Sequence, residues 1–567
     1  MRLDQLRIGS AKDSPTHRFK NLKDVSIDFD ERHWVTVLIG WNGTGKSNVL
    51  EALAIIFRDL ITGMRRPAFA YRLVYRMGVG DNLRHIVIDA DPDRARQPLA
   101  AWIATPEEFN ARDKALDLLV PELDSFPGSR VSLKQFLAPN NADLPRYVFS
   151  YYSGESTRMR EIFQPYLDRY DSRLRKGEDP GLKRLFYAMP VHSQFVLLAF
   201  LIQSSPLVSD FLDKHLGIDA EDGIDSVLFV LREPPWGSAD GDPRVWNARG
   251  VVQDFLSRLY DIALAPIEVR RTVRVSPWNE RKLEFKYLFV KDIVSLRNLV
   301  GDRSPARFFR DLESTYVSEL IDEVRIRVRL KKNDGEVTFR ELSEGEQQLL
   351  TVLGLLLFTA EDESLFLLDE PDTHLNPRWS VDYIDYLRSF VEESATGDDT
   401  SHVLLTTHNP LSIAELEREQ VQILALRQRG ERQVFVCHPE MNPKGMGYAA
   451  IVTSDMFGIA STLDQPTQLI LEKQRALAGK DKLKPDEQLE LDQLNDELER
   501  LGFRLFHPDD EFSRYLRRRN EALRKRFQTD DPETIARNAV AMSREERETF
   551  AQELIDEILF EEEVEEG

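Results

Sequence analysis

A glycine-rich loop between an apolar segment and a helix-forming segment constrains this chain more than any other feature. The loop reads Gly40-Trp-Asn-Gly-Thr-Gly-Lys-Ser47. Residues 34–39 before it are apolar and β-prone, and residues 47–57 after it favour a helix. In this strand–loop–helix order, glycines let backbone N–H groups point at phosphate oxygens, beside the N-terminus of the helix. The sequence therefore predicts an α/β fold that binds a nucleotide.

The polar positions of the loop predict how it would hold a triphosphate. Lys46 would reach the β- and γ-phosphates, and Ser47 would place its hydroxyl on Mg²⁺. ATP and Mg²⁺ are therefore the expected cofactors. The predicted nucleotide-binding residues of the loop are Gly40, Asn42, Gly43, Thr44, Gly45, Lys46, Ser47 and Asn48.

A second set of motifs lies far along the chain. The apolar segment 365–368 ends in Asp369 and Glu370, and the apolar segment 402–407 ends at His408. We expect Asp369 to hold Mg²⁺ together with Ser47, and Glu370 to orient or deprotonate the attacking water. A lone histidine is more often structural, but the position of His408 after the next strand favours a sensor of the γ-phosphate. Glu370 and His408 are thus the predicted catalytic residues.

The segment Leu342-Ser-Glu-Gly-Glu-Gln-Gln-Leu-Leu350 assigns the class of ATPase. It resembles the signature motif of ATP-binding-cassette (ABC) proteins, in the form used by the SMC, RecF and OLD families. The resemblance implies that this motif, through Ser343, Gly345 and Glu346, contacts a nucleotide held by the loop of a second subunit. One loop and one signature per chain favour a homodimer or higher homo-oligomer with composite sites. Ser343 and Glu346 also fit a capping box, and the two interpretations are compatible.

Further segments sharpen the resemblance. Asp369-Glu-Pro-Asp-Thr-His-Leu-Asn-Pro377 resembles prokaryotic OLD-like and defence-associated ATPases more than transporters, and implies that Asp372, Thr373 and His374 lie near a partner subunit. With the segments 146–154, 192–195 and 454–464, the chain resembles the ATPase subunits of the Septu antiphage system, which also occur with retrons. Such ATPases imply an HNH-type nuclease partner whose cleavage of nucleic acid the ATPase controls.

Four regions follow from these motifs. Residues 1–64 and 261–455 are expected to build the ABC-type P-loop ATPase head, residues 65–260 a mostly helical insertion, and residues 456–567 a helical C-terminal appendage with an acidic tail. SMC proteins carry a coiled coil at the insertion, but the heptads that a coiled coil requires are missing here. We therefore expect a compact lobe, with Gln135 or Gln194 as the glutamine that couples it to the nucleotide. Two helices are predicted at 466–478 and 485–501.

Composition limits the cellular setting. The net charge of −22 argues against indiscriminate coating of nucleic acid. Nucleic acid remains a possible partner through two basic segments, 324–331 and 514–527, although a solvated face or pairing with carboxylates explains them as well. A single cysteine, the lack of a secretion signal and the shortness of the apolar stretches predict a cytoplasmic protein without a membrane partner.

Two other functions compete with a defence ATPase that regulates a nuclease. A RecF-like repair protein would clamp DNA without a nuclease partner. An autonomous OLD-like nuclease would need a Toprim domain, for which the C-terminal region lacks the strand leading into Glu-Gly and the later Asp-x-Asp pair. Residues 509–511 form a carboxylate cluster that a turn explains better than metal catalysis.

Overall fold

The structure, a computed structural model, describes residues 1–110, 126–138, 141–154, 156–203, 205–219, 223–237, 240–276, 279–331, 336–359, 363–394, 400–427, 433–459, 462–478 and 484–503, with short stretches beyond 503. The chain forms two compact units, Met1–Ile459 and a second that begins at Ala460. The basic segment 514–527, the cluster 509–511 and the acidic tail lie largely or wholly outside the described residues.

The strands of the first unit are β1 (Arg2–Ile8), β2 (Arg18–Phe19), β3 (Leu22–Lys23), β4 (Val25–Asp28), β5 (Val35–Gly40), β6 (Tyr71–Met77), β7 (Arg84–Ala90), β8 (Leu99–Ala104), β9 (Ser129–Val131), β10 (Tyr147–Tyr152), β11 (Leu185–Tyr187), β12 (Ile224–Arg232), β13 (Leu264–Ser276), β14 (Asn279–Val290), β15 (Ile321–Arg329), β16 (Glu336–Thr338), β17 (Ser364–Asp369), β18 (His402–Thr406), β19 (Val421–Arg427) and β20 (Gln433–Cys437). The α-helices of the chain are α1 (Lys46–Thr62), α2 (Pro106–Asn110), α3 (Leu133–Phe136), α4 (Arg158–Arg175), α5 (Val191–Phe200), α6 (Pro206–Phe211), α7 (Gly250–Ile262), α8 (Ile293–Val300), α9 (Pro305–Val317), α10 (Glu344–Thr359), α11 (Pro377–Val381), α12 (Tyr383–Ser394), α13 (Tyr448–Thr453), α14 (Gln465–Ala478) and α15 (Pro485–Arg500).

A seven-stranded sheet in the order β11-β10-β17-β18-β5-β19-β20 forms the centre of the first unit. Its first six strands run parallel, and β20 pairs with β19 antiparallel. The register sets Tyr152 opposite Asp369, and Asp369 opposite Thr406. Because the carboxyl ends of parallel strands share one edge, the segments after β5, β10, β17 and β18 meet there.

Side chains alternate between the two faces of this sheet, as a pleated strand requires. On one face, Leu38, Leu365 and Leu404 pack with α1 and the antiparallel sheet β4-β1-β6-β7-β8-β9. On the other face, Val37, Phe366 and Leu405 pack with residues of α5, α9, α10 and α12. The central sheet is therefore covered on both sides, which explains its nearly uninterrupted apolar strands.

The α/β ATPase class is confirmed, but residues 65–260 mix helices and strands and are not mostly helical. Strands β6 to β9 extend the sheet that β1 begins, β10 and β11 join the central sheet, and β12 belongs to the sheet β13-β14-β12-β15-β16. The partners of these strands lie far away in sequence, since β10 pairs with β17 and β12 with β15. Such long-range pairing leaves no local pattern from which the prediction could be made.

The structure also bears on the predicted C-terminal helices and on the basic segment 324–331. Helices α14 and α15 confirm the predicted C-terminal pair, and the side-chain amide of Gln474 donates to Asn495 Oδ1 over 3.1 Å.

In β15 the arginines alternate with buried Val324, Ile326 and Val328 as predicted. Two of these arginines form ion pairs within the protein: Arg325 lies 2.8 Å from Glu323, and Arg329 lies 3.2 Å from Asp225. Among the described residues, no helix is both long and apolar enough to cross a bilayer.

Candidate nucleotide site

The glycine-rich loop follows β5 and has a backbone that only glycine tolerates. Gly40 has a φ of +145° and Gly45 a φ of +104°. A Cβ on Gly40 would lie 2.3 Å from the carbonyl oxygen of Leu424, and one on Gly45 would lie 2.9 Å from Asn21 Oδ1. Helix α1 begins at Lys46, directly after the loop. The unsatisfied N–H groups of its first turn therefore face the space above the loop, where an anion is stabilised.

The ammonium of Lys46 lies over this loop. It donates to the carbonyl oxygen of Gly40 over 2.9 Å and lies 2.9 Å from His408 Nε2. Burial lowers the pKa of Lys46, while the charges of Glu370 and Asp369 oppose that change. A buried ammonium above a phosphate-binding loop gains charge pairing from a bound triphosphate, so the position fits the predicted role.

Ser47 and Asp369 lie side by side, as a shared Mg²⁺ would require. The Ser47 hydroxyl donates to Asp369 Oδ1 over 3.1 Å, and the Thr406 hydroxyl donates to the same oxygen over 2.6 Å. Burial raises the pKa of Asp369, and these two hydrogen bonds counteract it. Hydroxyl and carboxylate oxygens are the donors that Mg²⁺ prefers. The pair would therefore hold the ion, which when bound neutralises charge on a transferring phosphoryl group.

Glu370 and His408 meet Lys46 at the same edge of the sheet. His408 Nε2 lies 3.2 Å from Glu370 Oε1. The hydrogen bond from His408 lowers the pKa of Glu370, and burial opposes it only in part. Glu370 is therefore ionised near neutral pH and can accept a proton from water. Its φ of +51° is unusual for a non-glycine residue, and its backbone N–H is held by the hydroxyl of Thr406 over 3.0 Å.

The other loop residues lie around this centre. Thr44 is buried and its hydroxyl donates to the carbonyl oxygen of Trp41 over 2.8 Å, whereas Asn42 and Gly43 are exposed. The Asn48 side chain donates to Asn21 Oδ1 over 2.6 Å. The structure thus brings the loop, the two carboxylates and His408 together from three distant segments.

The signature segment forms the start of α10. The predicted capping box is present, because Glu346 N donates to Ser343 Oγ over 3.3 Å and Ser343 N donates to Glu346 Oε2 over 2.7 Å. Ser343 is exposed, while Gly345 is buried against the backbone of His374. A Cβ on Gly345 would lie 2.4 Å from the carbonyl oxygen of His374. The glycine therefore ties the signature to the segment after Glu370 within one chain, and its contact with a second subunit stays a prediction.

One residue expected near a partner faces the interior of its own chain. Asp372 is 3% exposed and accepts hydrogen bonds from the hydroxyls of Thr407, at 2.7 Å, and Ser412, at 2.5 Å. Burial raises the pKa of Asp372, and these hydroxyl donors lower it only in part. Thr373 and His374 are exposed, as a position near a partner would require.

The two glutamines predicted to couple the nucleotide to the insertion lie in helices, and their coupling role stays a prediction. Gln135 is in α3 and Gln194 in α5, whereas the strands next to β17 are β10 and β18. The residue that follows β10 is Ser153, whose N–H donates to the carbonyl oxygen of Asp369 over 3.3 Å. Sequence reasoning missed it because only the pairing of β10 with β17 places it at this edge.

Asn21 is a second residue that sequence reasoning missed. Its side-chain amide donates to the carbonyl oxygen of Gly43 over 3.1 Å, and its own oxygen accepts from Asn48. It lies between the short strands β2 and β3. Asn21 therefore links this turn to the glycine-rich loop. No local sequence motif predicts this contact.

Comparisons with known proteins agree with this site. A family model described as "AAA ATPase domain" matches residues 18–91, and one described as "AAA domain, putative AbiEii toxin, Type IV TA system" matches residues 243–414. The first contains the glycine-rich loop, and the second contains the signature, Asp369, Glu370 and His408. The two models therefore cover the two halves of the site.

Individual relatives match shorter parts. The Septu protein PtuA of Bacillus mycoides (strain KBAB4) is 24% identical over 168 residues, which are 28% of this chain and 22% of that protein. The probable ATPase of retron Vc95 from Vibrio cholerae (serotype O1 biovar El Tor) is 25% identical over 169 residues, 27% of this chain and 30% of that protein. The chain thus spans less than a third of each relative.

Among solved structures, the SMC head domain from Thermotoga maritima is 11% identical, with 78% of this chain and all of that one covered at a TM-score of 0.30. The two domain models and the two relatives support an ABC-type P-loop ATPase that resembles the Septu protein PtuA.

Proposed function

We propose that this chain is the ATP-binding and hydrolysing subunit of an antiphage defence complex. The observation that carries the proposal is the convergence of Lys46, Ser47, Asp369, Glu370 and His408 at the carboxyl edge of the central sheet. The similarity to PtuA and to the retron ATPase supports the defence setting.

Each side chain has a separate task in this proposal. Lys46 holds and neutralises phosphate oxygens, and Ser47 and Asp369 hold Mg²⁺. Glu370 accepts the proton of the attacking water. His408 Nε2 can accept from Lys46 or donate to Glu370, but one nitrogen cannot do both at once. A phosphate that draws Lys46 away would therefore leave His408 free to pair with Glu370 and orient it.

The proposal includes dimerisation through composite ATP sites. Ser343 supports it, because it is exposed at the N-terminus of α10, where the helix dipole stabilises an anionic group. Its hydroxyl, which donates to Glu346 Oε2 over 2.8 Å, would turn to that group. In such a dimer each site combines the loop of one subunit with the signature of the other. ATP would hold the two subunits together, and hydrolysis would release them.

Mixing two inactive variants tests the composite site. Lys46→Ala removes the loop function and Ser343→Arg the signature function, so each homodimer should be inactive. A mixed dimer retains one intact site, because the good loop of one subunit meets the good signature of the other. Equal mixing with subunit exchange should restore about a quarter of the wild-type ATPase rate, since half of the dimers are mixed and one of their two sites works.

Two outcomes would contradict this arrangement. Mixtures could stay inactive although their subunits exchange, or the Ser343→Arg variant could hydrolyse ATP normally. Either result would place the whole site within one chain. Ser304→Arg is the matched control, because Ser304 caps α9 through a hydrogen bond from Arg307 N over 3.2 Å. Both substitutions remove a helix cap, worth about 1 kcal/mol. Only the change at Ser343 should stop hydrolysis.

The proposal also includes a nuclease partner of HNH type whose cleavage is regulated by the ATP state of the dimer. Its support is the resemblance to Septu ATPases, together with the convergence of the predicted motif residues at one edge of the central sheet. Purification of the native complex, followed by cleavage assays with wild-type and Glu370→Gln chains, tests it. We expect a nuclease to co-purify with the chain. It should cut nucleic acid at different rates in the complexes with wild-type and Glu370→Gln chains. A chain that purifies alone and hydrolyses ATP faster with DNA would favour a DNA clamp.

A further inference from the structure

A cluster outside the ATP site brings three metal-binding side chains together. His17 Nε2 lies 3.2 Å from Asp91 Oδ1 and 3.3 Å from Asp93 Oδ2. His17 follows a short loop after β1, and the two aspartates follow β7. We propose that these residues form a Zn²⁺ site that joins the two loops.

The state of His17 is the observation that points to an ion. Its side chain is 2% exposed, and its Nε2 forms no hydrogen bond although it faces two carboxylate oxygens. Leaving a buried polar nitrogen unsatisfied costs about 1–3 kcal/mol. A cation between this nitrogen and the two carboxylates removes that cost.

The separations of His17 Nε2 from the two carboxylate oxygens match tetrahedral coordination, and all three atoms lie within 4.8 Å of one another. Zinc lies about 2.0–2.1 Å from imidazole nitrogen and about 2.0–2.2 Å from carboxylate oxygen, and its sites are tetrahedral. Two ligands at such distances and a tetrahedral angle are about 3.3–3.5 Å apart. The observed 3.2 and 3.3 Å therefore need little movement of the side chains. Mg²⁺ prefers six oxygen ligands, so a buried imidazole disfavours it.

Each of the three proposed ligands also contacts a polar side chain through its other nitrogen or oxygen. Ser10 Oγ lies 2.6 Å from His17 Nδ1, which leaves Nε2 to face the carboxylates. Thr16 donates to Asp93 Oδ1 over 2.7 Å, and Lys12 donates to Asp91 Oδ2 over 3.1 Å. Each aspartate thus uses one oxygen for these contacts and turns the other toward His17, Oδ1 in Asp91 and Oδ2 in Asp93. Asp91 Oδ1 also accepts from the N–H of Asp93 over 3.0 Å. Outer contacts of this kind orient the ligands of metal sites.

Space for a fourth ligand lies beside the cluster. His17 and Asp91 line a cavity of about 360 Å³, whose walls also include Tyr71 and Arg72. A water molecule in this cavity could complete the tetrahedron, as it does in zinc sites with three protein ligands. The site would anchor the segment that leads to Asn21, and through it the glycine-rich loop.

Zinc binding to the full-length chain without nucleotide tests the proposal. Metal-free protein is titrated with ZnCl₂ in competition with a chromophoric chelator, and the bound metal is counted by elemental analysis after gel filtration. We expect wild-type protein to bind one more equivalent of zinc than Asp93→Asn, with its affinity at this site at least about tenfold higher. The ATP site is the same in both proteins, so any zinc that it binds cancels in the difference.

His33→Gln is the matched control. His33 also lies between two carboxylates, but it contacts Asp30 through Nδ1 and Glu417 through Nε2, at 3.6 Å, so one ion cannot join all three. This variant should bind zinc as the wild type does. Equal zinc binding by wild type and Asp93→Asn, or tighter binding of Mn²⁺ or Mg²⁺ than of zinc at this site, would overturn the proposal. Asp93 is a partly exposed residue, so its substitution leaves folding testable by circular dichroism.

Discussion

The molecule contains the same three side chains, lysine, glutamate and histidine, in two very different settings. In the interior, Lys183, Glu313 and His192 are almost fully buried, with side chains that are 4%, 2% and 0% exposed. At the ATP site, the Glu370 and His408 side chains are 31% and 39% exposed. Lys46 is only 6% exposed, so the sealed group and the open site differ in the exposure of the glutamate and the histidine, not of the lysine.

The hydrogen bonds of the two groups differ accordingly. Glu313 accepts from Lys183 through one oxygen and lies 2.6 Å from His192 Nε2 through the other. His192 Nδ1 accepts from the N–H of Met189 over 2.7 Å, so its proton is on Nε2 and points at Glu313. The burial of the sealed group leaves no access for a ligand. At the open site Lys46 contacts His408 and a backbone carbonyl instead of a carboxylate, which leaves charge available to a phosphate.

The largest effect is expected for Glu370→Gln at the open site. Loss of the proton acceptor should reduce ATP hydrolysis by about 10²- to 10⁴-fold, while the half-exposed position keeps the free energy of unfolding close to that of the wild type. The variant should retain ATP and accumulate in a larger assembly, measured by gel filtration with ATP. Normal hydrolysis, or an assembly state unchanged by ATP, would contradict the role of Glu370 in a composite site.

The opposite result is expected at the sealed site. Glu313→Ala leaves Lys183 buried without its partner and should lower the free energy of unfolding by about 3–5 kcal/mol, measured by urea denaturation. Hydrolysis per folded molecule should stay near normal. Glu178→Ala is a control on an exposed pair, 2.7 Å from Arg173, and should cost at most about 1 kcal/mol. A small effect at Glu313 would mean that the two groups differ less than their burial indicates.

The pH dependence of stability tests whether the glutamate of the sealed group is ionised. Burial alone would raise the pKa of Glu313, but His192 and Lys183 outweigh it and lower the pKa to about 2 from 4.5. A lowered folded-state pKa stabilises the protein above the unfolded-state value, and this contribution, about 3 kcal/mol, is lost as the pH falls from about 4.5 to 2. Urea midpoints across this range should fall less in Glu313→Gln than in wild type. Parallel pH profiles would rule out an ionised Glu313.

The two groups also differ in how far the sequence predicts them. The open site was predictable because consecutive residues fix the local backbone: the loop glycines, Asp369-Glu370 and the strand that ends at His408 each carry their own pattern. The sealed group was not, since Lys183 and Glu313 are 130 residues apart and no motif links them. Ser153 and the strands of residues 65–260 were missed for the same reason, because β10 takes its position from its pairing with β17.

A moderate effect is expected where the open site depends on one buried hydroxyl. Thr406→Val removes the donor to Asp369 and the acceptor for Glu370 N, and leaves both of these groups without that partner. Hydrogen bonds to charged groups are worth about 1.5–3 kcal/mol, so hydrolysis should fall about tenfold or more and require more Mg²⁺. Thr407→Val is the control, because its equally buried hydroxyl bonds Asp372 instead. If both variants lose hydrolysis equally, the loss reflects packing and not the carboxylates of the site.

The smallest effect is expected for a substitution of Asn21. This residue shows that the open site, unlike the sealed group, is supported by an uncharged side chain. The sealed group is held by its own charges, whereas Asn21 supports the glycine-rich loop through a neutral hydrogen bond to the carbonyl oxygen of Gly43. Such a bond contributes about 0.5–1.5 kcal/mol, so Asn21→Ala should raise the Kd for ATP about 2- to 10-fold and leave the hydrolysis rate at saturating ATP unchanged. Titration with a fluorescent ATP analogue measures the first and a steady-state assay the second. Lys23→Ala, which removes only an exposed pair with Asp13 at 3.5 Å, should change neither. A fall in the saturated rate of Asn21→Ala would show that this tether orients the catalytic residues as well as the loop.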